Sequence, residues 1–479
     1  MPSASPFHAN AFLIRTAAAG LTILACIGAA LILYTLRASE LRGDEVTYAN
    51  AARALADALA GRAADTATTF ATVIERGWFM PGMAALCAPL FVIAPDAPNW
   101  ALALYVAGVN AALFAAFVWQ VSPLVGARAA LTFGLFPLLA PLWMVSAFSV
   151  LPDLPAGLLL ANAMVLAWRI GTALLAGRAP RWTWIAGFEL CCIAALYVRG
   201  PMLLTGLGLH CILLALAGLR FRLMSRPMAG LALFAAALAP WSLAASDHFG
   251  AGVLTTTNFP LVIADGFGDP DRLCEGPCAP GLDILPAWEY AQARAAETGV
   301  HPFTQERAMM AASLEELTVR GYLSQVREHF GRFVFNPAGW LRFKLELSFA
   351  VPPQWRGPLA FLALSVTLIG YIPFMAALMA LQIVPVRASD SLSLQAILIK
   401  GMTFCLFLQP FLHKSSARYW VGFAALGTWS AIVFWQALRA REALPEHTKA
   451  ARAMPAWLDA VQIAYGAVFA ALALAIALA

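Results

Sequence analysis

Long apolar runs with almost no charge constrain this chain more than any other feature of its sequence. Residues 100–120 contain no charged side chain, and residues 456–477 contain only Asp459. The hydrocarbon core of a bilayer is about 30 Å thick, so a helix needs roughly 20 apolar residues to cross it. Helices are expected because lipid cannot hydrogen-bond open backbone groups, and continuous apolar runs argue against a membrane β-barrel. Eleven membrane-spanning helices are predicted on this basis, near residues 13–36, 100–120, 128–150, 155–176, 182–198, 201–219, 227–245, 358–384, 392–412, 418–437 and 456–477.

The composition agrees with this prediction. Hydrophobic residues make up 61% of the 479-residue chain and charged residues 12%, whereas an ordinary soluble domain has roughly 25% charged and about 45–50% apolar residues. A soluble globular enzyme, a disordered protein and a nucleic-acid-binding module are therefore excluded. The predicted fold class is an all-α polytopic membrane protein.

Basic residues indicate how the spans are oriented. They are concentrated in the connection 177–181, in the connection 220–226 and in the segment after the tenth span, all on one side of the membrane in the predicted topology. The positive-inside rule makes that side cytoplasmic. The loop that starts at Ala38, the long loop 246–357 and the short loop 413–418 then face the outside.

This topology divides the chain into three regions. An N-terminal transmembrane module, 1–245, contains the first outside loop, 38–99. The long outside loop, 246–357, follows, and the C-terminal transmembrane helices occupy 358–479.

One apolar segment of the first outside loop is too short for a span. Met80–Ala94 has about 15 residues and contains Pro89, and a crossing helix needs about 20. If it crossed, the loop that holds Asp44 and Glu45 would share a side with the basic connections. We predict instead that it forms a helix lying in the membrane interface.

Acidic residues at the outer membrane surface are the first candidates for function, since carboxylates at membrane level are costly and usually functional. Asp44 and Glu45 follow the first span, and Asp153 follows the third. Each aspartate could instead cap the helix that comes after it. Because neighbours on a helix point about 100° apart, Asp44 and Glu45 are not expected to share one role. Together the three carboxylates could supply a general base and orient an acceptor hydroxyl.

Basic residues on the same surface could hold a phosphate beside these carboxylates. The alternative for each is a cation that merely extends from a helix end to the membrane surface. Acids and phosphate-binding cations at the outer face indicate transfer from a phosphorylated lipid, because no soluble nucleotide donor is available there. The candidates for phosphate binding are Arg53, Arg76, Arg199, Lys414 and Arg418, with His413 beside them.

Other common sites are missing from the sequence. It contains no Walker A loop, no G-x-G-x-x-G motif after a strand, and no His/Cys cluster with zinc spacing inside a span. Two of the eight cysteines, Cys274 and Cys278, lie in the long outside loop on either side of Glu-Gly-Pro. In an oxidising compartment we expect a disulfide between them, with two free thiols as the alternative.

Several different short motifs lie at the predicted boundaries between loops and spans. They are Asp44-Glu45 with Tyr48 and Arg53, Gly77–Pro81, Leu151–Asp153, Val198–Pro201, Pro240-Trp241, Leu254–Asn258, Phe335–Leu345 and Ser416–Tyr419. In this order they resemble the GT-C superfamily of integral-membrane glycosyltransferases that use polyprenyl-phosphate sugars. The nearest branch is that of the protein O-mannosyltransferases and the lipid A aminoarabinose transferases. The resemblance covers most of the chain to about residue 437. It implies a GT-C fold with juxtamembrane helices in the first outside loop.

The resemblance implies an inverting transfer of one sugar, a hexose or a pentose, from undecaprenyl phosphate or a similar lipid. Its acceptor would be a glycolipid such as lipopolysaccharide, a polysaccharide or a protein, at the periplasmic face of a bacterial inner membrane. It also implies that no divalent metal or other cofactor is essential. One position departs from the family pattern, because Met80 stands where members often have a lysine. Arg76 or Arg199 would then replace that phosphate contact.

The resemblance also implies roles for the candidate residues. Asp44 would be the general base, with Glu45 and Asp153 positioning the acceptor or Asp44. The five cations listed above would bind and stabilise the donor phosphate. Tyr48, His413 and Tyr419 would position acceptor or donor.

Two other functions fit the same topology. A lipid-linked glycan flippase or other transporter would place charged residues along a path through the spans, and the main ones here are few: Arg169, Glu189 and Lys400. A scaffold or accessory subunit would keep the fold without activity. Carboxylates concentrated at one face favour the enzyme.

Overall fold

The computed structural model describes most of the chain, and all the regular secondary structure in the described residues is helical. The described ranges are 6–34, 41–126, 129–131, 133, 146–218, 220–274, 284–335, 351–387, 389–414, 419, 424–443 and 456–478. The helices are α1 (Pro6–Tyr34), α2 (Asp44–Leu59), α3 (Thr66–Ile74), α4 (Gly82–Ile93), α5 (Asn99–Val125), α6 (Asp153–Leu175), α7 (Trp182–Val198), α8 (Met202–Ala217), α9 (Phe221–Phe249), α10 (Phe259–Phe267), α11 (Pro270–Leu273), α12 (Leu285–Thr298), α13 (Pro302–Leu314), α14 (Val319–Phe335), α15 (Pro353–Ile383), α16 (Asp390–Phe407), α17 (Gln409–Leu412), α18 (Ala424–Ala443) and α19 (Ala456–Leu478).

Within the described ranges, five stretches of helix are long and apolar enough to cross a membrane: α5, α6, α9, α19 and the continuous stretch Asp390–Leu412. Shorter apolar segments lie in α1, α4, α7, α8 and α15. Most of the predicted span 128–150 falls outside the described residues. The all-helical class is confirmed for the described chain, and the count of eleven spans and the three-region division stay predictions.

Helix α6 is the centre of the bundle. It packs against α5, α7, α8 and α16, and most of its side chains are buried, small and large alike. A buried amide fixes its register, since Asn162 Nδ2 donates to the Leu113 carbonyl of α5 at 3.1 Å and Gln120 Nε2 donates to Asn162 Oδ1 at 2.7 Å. Buried polar groups need such partners. The N-terminus of α6, which begins at Asp153, is therefore held rigidly.

Two of the charged residues within the spans make contacts between helices. His210 of α8 has its Nε2 3.0 Å from Glu189 Oε1 of α7. Gly230 of α9 packs directly against this pair, since a Cβ at that position would lie 2.2 Å from Glu189 Oε1. Lys400 Nζ donates to the Val384 carbonyl at 3.0 Å, where α15 ends.

The first outside loop forms a compact helical layer. Helix α2 packs on α3 and α4, and Tyr48, Met83, Cys87 and Phe91 form a common apolar core. The segment predicted to lie at the interface contains a helix of 12 residues, α4, with Pro89 inside it. Its position at the membrane surface stays a prediction.

The long outside loop contains helices α10 to α14 and a small apolar core of its own. That core includes Leu261, Leu273, Ala291 and Met309. Cys274 lies in it and is disulfide-bonded. The expected partner, Cys278, lies outside the described residues, so the pairing stays a prediction.

Glu306 of α13 makes the stability of this loop depend on pH. The residue is 2% exposed, and burial raises the pKa of its carboxyl from 4.5 to about 7. Between these two values the folded state binds more protons than the unfolded state, so stability falls as pH rises. We expect Glu306→Gln to stabilise the loop at pH 8 by up to about 3 kcal/mol and to have little effect at pH 4. Hydrogen exchange of residues 259–314 at both pH values measures this.

The exposed Glu289 of α12 provides a matched control. Glu289→Gln makes the same chemical change and should leave the exchange rates unaltered at both pH values. An equal effect of the two substitutions would contradict the assignment of the pH dependence to Glu306.

Candidate functional site

The two predicted catalytic aspartates each begin a helix. Asp44 is the first residue of α2, after Gly43, whose φ of 58° suits glycine. Asp153 is the first residue of α6, after Pro152. In both helices the preceding residue occupies the N-cap, and the helix N-terminus stabilises the negative charge of the aspartate. Asp44 is half-buried and Asp153 is buried.

Glu45 connects the first outside loop to the segment that carries Asp153. It is 1% exposed, and its Oε1 accepts a hydrogen bond from the Val150 amide at 2.8 Å. A carboxylate that accepts a backbone hydrogen bond makes a strong, charge-assisted contact. Glu45, the residue that follows Asp44, therefore holds the segment from Val150 to Asp153 against the start of α2.

Arg199 pairs with Asp153 across the ends of two helices. Arg199 Nη1 lies 2.9 Å from Asp153 Oδ1, and the two side chains are 8% and 4% exposed. Arg199 is the C-cap of α7, where the helix dipole favours a positive charge. Its guanidinium also lies over the ring of Tyr419, 4.3 Å from the centroid, in a cation–π contact.

Tyr419 extends the site to the late basic segment. The ring of His413 meets that of Tyr419 edge-on, with centroids 5.4 Å apart. Next to it, Lys414 Nζ lies 3.6 Å from Asp265 Oδ1 of α10, and both side chains are partly exposed. The Arg199–Asp153 pair thus adjoins the Tyr419 ring, and Lys414 of the second pair directly follows His413 in the chain.

The segment 253–268 connects the first outside loop, the end of α7 and the late basic segment. None of the predicted site residues lies in it. Thr257 donates from its amide to the Gly77 carbonyl at 2.9 Å and from its Oγ1 to the Arg76 carbonyl at 2.7 Å. A Cβ on Gly200 would lie 3.3 Å from Thr255 Cβ, and one on Gly266 would lie 3.0 Å from the Lys414 amide nitrogen. The consecutive threonines of Leu254–Asn258 are the signal from which this connection could have been predicted.

Helix α4 is held against the end of α7 by backbone contact. A Cβ on Gly82 would lie 2.2 Å from the Tyr197 carbonyl carbon and 2.4 Å from the Val198 nitrogen. Only glycine permits such an approach. The contact sets the position of α4 relative to Arg199, which follows Val198.

Other predicted site residues make contacts of their own. Arg53 Nη2 donates to Asn99 Oδ1 at 3.1 Å and lies over the Phe91 ring, so it joins α2 to α4 and α5. Tyr48 is buried against Phe79, with ring centroids 4.8 Å apart. Their roles in binding donor or acceptor stay predictions.

Arg76 lies where the first outside loop meets the long one. Its guanidinium contacts the rings of Trp78 and Trp288 at 5.3 and 5.2 Å and lies 3.3 Å from the Glu75 carboxylate. Met80, in the position where a lysine was expected, is buried in the apolar core. Arg418 lies outside the described residues. The phosphate contacts of Arg76 and Arg418 stay predictions.

The described site can carry out two kinds of chemistry. A half-buried carboxylate at a helix N-terminus, Asp44, can accept a proton. The cations Arg199, which lies over the Tyr419 ring, and Lys414 can stabilise negative charge that develops on a leaving group. Within the described part of the chain, no group of three or more His, Cys, Asp or Glu side chains is arranged to hold a metal ion.

Comparisons with known proteins give one structural match. No known family model and no curated protein matches the sequence. The chain is similar to the crystal structure of ArnT from Cupriavidus metallidurans in the apo state, with 16% identity, a TM-score of 0.37 and coverage of 86% of this chain and 77% of ArnT. At this TM-score the family of the chain has to be argued from its own residues.

The Asp153–Arg199 pair generates a prediction about stability. Removing one partner takes a nearby opposite charge away from a buried group, which typically costs about 3–5 kcal/mol. We expect Asp153→Asn and Arg199→Gln each to destabilise the protein by about that much, and the double variant by less than the sum. Unfolding of the purified protein in detergent measures all three.

A surface pair of the same chemistry serves as the control. Arg62 and Asp57 are 37% and 47% exposed and lie 2.9 Å apart. Asp57→Asn should cost at most about 1 kcal/mol. Additive effects of Asp153→Asn and Arg199→Gln would show that the two residues are not coupled.

The glycine contact of α4 gives a second prediction. Gly82→Ala places a methyl group inside the backbone of α7, so the two helices must separate. We expect a lower unfolding temperature and a loss of any activity that depends on Arg199. Gly108→Ala in α5 is the control, because no atom lies within 4 Å of its Cβ position. Equal behaviour of the two variants would contradict the contact.

Proposed function

We propose that this chain is an inverting glycosyltransferase that uses a polyprenyl-phosphate-linked sugar as donor. The observation that carries the proposal is the convergence of four distant segments on the buried Asp153–Arg199 pair. Glu45 of the first outside loop accepts a hydrogen bond from Val150, three residues before Asp153, and Tyr419 of the late basic segment lies against Arg199. Such a cluster combines a base with cations for a leaving phosphate.

Asp44 is the general base in this proposal. It removes the proton of the acceptor hydroxyl as the acceptor oxygen attacks the anomeric carbon from the face opposite the phosphate. The bond from the anomeric carbon to the phosphate oxygen breaks, and its electron pair stays on that oxygen. Glu45 and Asp153 are positioning residues, because both are buried and already hold Val150 and Arg199.

The cations stabilise the phosphate as its charge increases. Arg199 is fixed by Asp153 and by the Tyr419 ring, so its guanidinium needs little reorganisation, and preorganised charge is the main source of such stabilisation. Lys414 is more exposed and directly follows His413, whose ring contacts that of Tyr419. Arg53, Arg76 and Arg418 are further candidates for this role.

The acceptor in this proposal is a hydroxyl of an envelope glycolipid or polysaccharide. The protein is placed in a bacterial inner membrane with its site on the periplasmic face, on the basis of the charge asymmetry of its connections. Undecaprenyl phosphate is the expected carrier, no essential metal is expected, and a disulfide between Cys274 and Cys278, as predicted, would suit this compartment.

The placement of charge within the spans supports an enzyme over a transporter. A transport path is lined by ionisable groups that face a cavity. Here Glu189 is paired with His210 and packed against Gly230. Lys400 donates a hydrogen bond to the carbonyl at the C-terminal end of α15. Both groups are occupied in joining helices.

Asp44→Asn tests the proposal in cells. We expect envelope glycans from a deletion strain to lack one sugar by mass spectrometry, wild type to restore it, and Asp44→Asn to restore less than about 1%, the effect of losing general-base catalysis. Asp57→Asn on the same helix is the control, since Asp57 is exposed and pairs only with Arg62 among the contacts described.

Full restoration by Asp44→Asn would show that this carboxylate only stabilises the start of α2. The base assignment would then be wrong, and a flippase or an inactive scaffold would become the preferred function. The mass difference also identifies the class of sugar transferred.

A further inference from the structure

The two ion pairs of the candidate site differ in how easily they exchange partners. Arg199 and Asp153 are 8% and 4% exposed and lie 2.9 Å apart. Lys414 and Asp265 are 25% and 21% exposed and lie 3.6 Å apart. Opening a buried pair leaves desolvated charges, whereas a partly exposed pair contributes little and opens readily. Of these two cations, Lys414 is therefore the one that an incoming anion reaches more easily.

Asp265 stays close to any anion that Lys414 binds. It lies in α10 next to Gly266, and a Cβ on Gly266 would lie 3.0 Å from the Lys414 amide nitrogen and 3.4 Å from the His413 carbonyl carbon. The other side of this segment is anchored to the first outside loop, where the Thr257 amide donates to the Gly77 carbonyl at 2.9 Å. These backbone contacts leave α10 little freedom to withdraw.

A phosphate changes charge in the reaction proposed above, and this inference rests on that reaction. The donor is a phosphodiester with one negative charge. When the bond to the anomeric carbon breaks, the electron pair remains on the phosphate oxygen and the carrier becomes a phosphomonoester. A monoester carries about −1.5 to −2 at pH 7, because its second pKa is about 6. The carboxylate of Asp265 repels this product more strongly than the donor.

We propose that Asp265 is a specificity-determining residue that offsets the attraction of Lys414 for the second charge of the phosphomonoester product, so that the product is held about as weakly as the phosphodiester donor. Lys414 attracts both lipids. Asp265 offsets that attraction most for the product, whose second charge would otherwise hold it in the site. The carboxylate thereby promotes release of the spent carrier.

Binding of two lipids by the purified full-length protein tests this inference. The probes are undecaprenyl phosphate and its methyl phosphodiester, each at pH 5 and pH 8. At pH 8 we expect Asp265→Asn to tighten binding of the monoester about tenfold and of the diester about threefold, since twice the charge doubles the change in free energy. At pH 5, where both lipids carry about one charge, the two factors should be equal.

Two further variants separate charge from structure. Asp265→Glu keeps the charge and should bind both lipids as wild type does. Asp271→Asn removes an exposed carboxylate from α11 of the same loop and should change neither affinity. Equal tightening of both lipids at pH 8, no tightening, or a Glu variant that behaves like the Asn variant would overturn the inference.

The wild-type protein gives a second test that needs no substitution. Its preference for monoester over diester should change by less than about twofold between pH 5 and pH 8, because Lys414 and Asp265 act in opposite directions on the second charge. A tenfold rise would overturn the inference even if Asp265→Asn does not fold. If neither lipid binds saturably to wild type, the proposed function itself fails, whereas binding that is insensitive to Asp265 removes only this inference.

Discussion

The candidate site depends on one buried ion pair, between Asp153 at the start of α6 and Arg199 at the end of α7. Each charge lies at the helix end whose dipole stabilises it, so the antiparallel packing of α6 and α7 brings complementary ends together. Because both side chains are buried, the pair stabilises the protein only while both partners stay in place. The bundle around α6 supplies that rigidity, and the Tyr419 ring over Arg199 extends it to the C-terminal part of the chain.

Close approaches of backbone to backbone determine how the loops attach to this pair. Gly82 brings α4 against the end of α7, Gly77 accepts the hydrogen bond of Thr257, and Gly266 brings α10 against Lys414. A side chain at any of these positions would separate the segments by the width of a methyl group or more. The candidate site is therefore built from loop segments. The backbone contacts between these segments are as short as those within a helix.

Several helices and part of the candidate site could be predicted from the sequence. The apolar runs predicted α5, α6 and α19 because apolar length alone marks such helices, and the Ala-rich segment after Asp44 is a helix as expected. Asp153 and Arg199 were both singled out, but their direct pairing was not predicted. Asp265 was missed because it is a single acid near the end of a short apolar helix, more than 60 residues from Arg199 and almost 150 from Lys414 along the chain. No local pattern links residues so far apart.

The sequence by itself determined that this chain is helical and apolar and that its charges lie mainly in its connections, and it singled out carboxylates and cations that the predicted topology puts on one surface. These properties follow from side-chain chemistry and from periods of a few residues. Only the tertiary structure decided which cation meets which carboxylate: Arg199 with Asp153, Lys414 with Asp265, and Glu45 with the Val150 amide. The physical reason is that a charge out of water is stabilised by whichever group the packing of helices brings within about 3–4 Å, and that distance is set by contacts between segments distant in sequence.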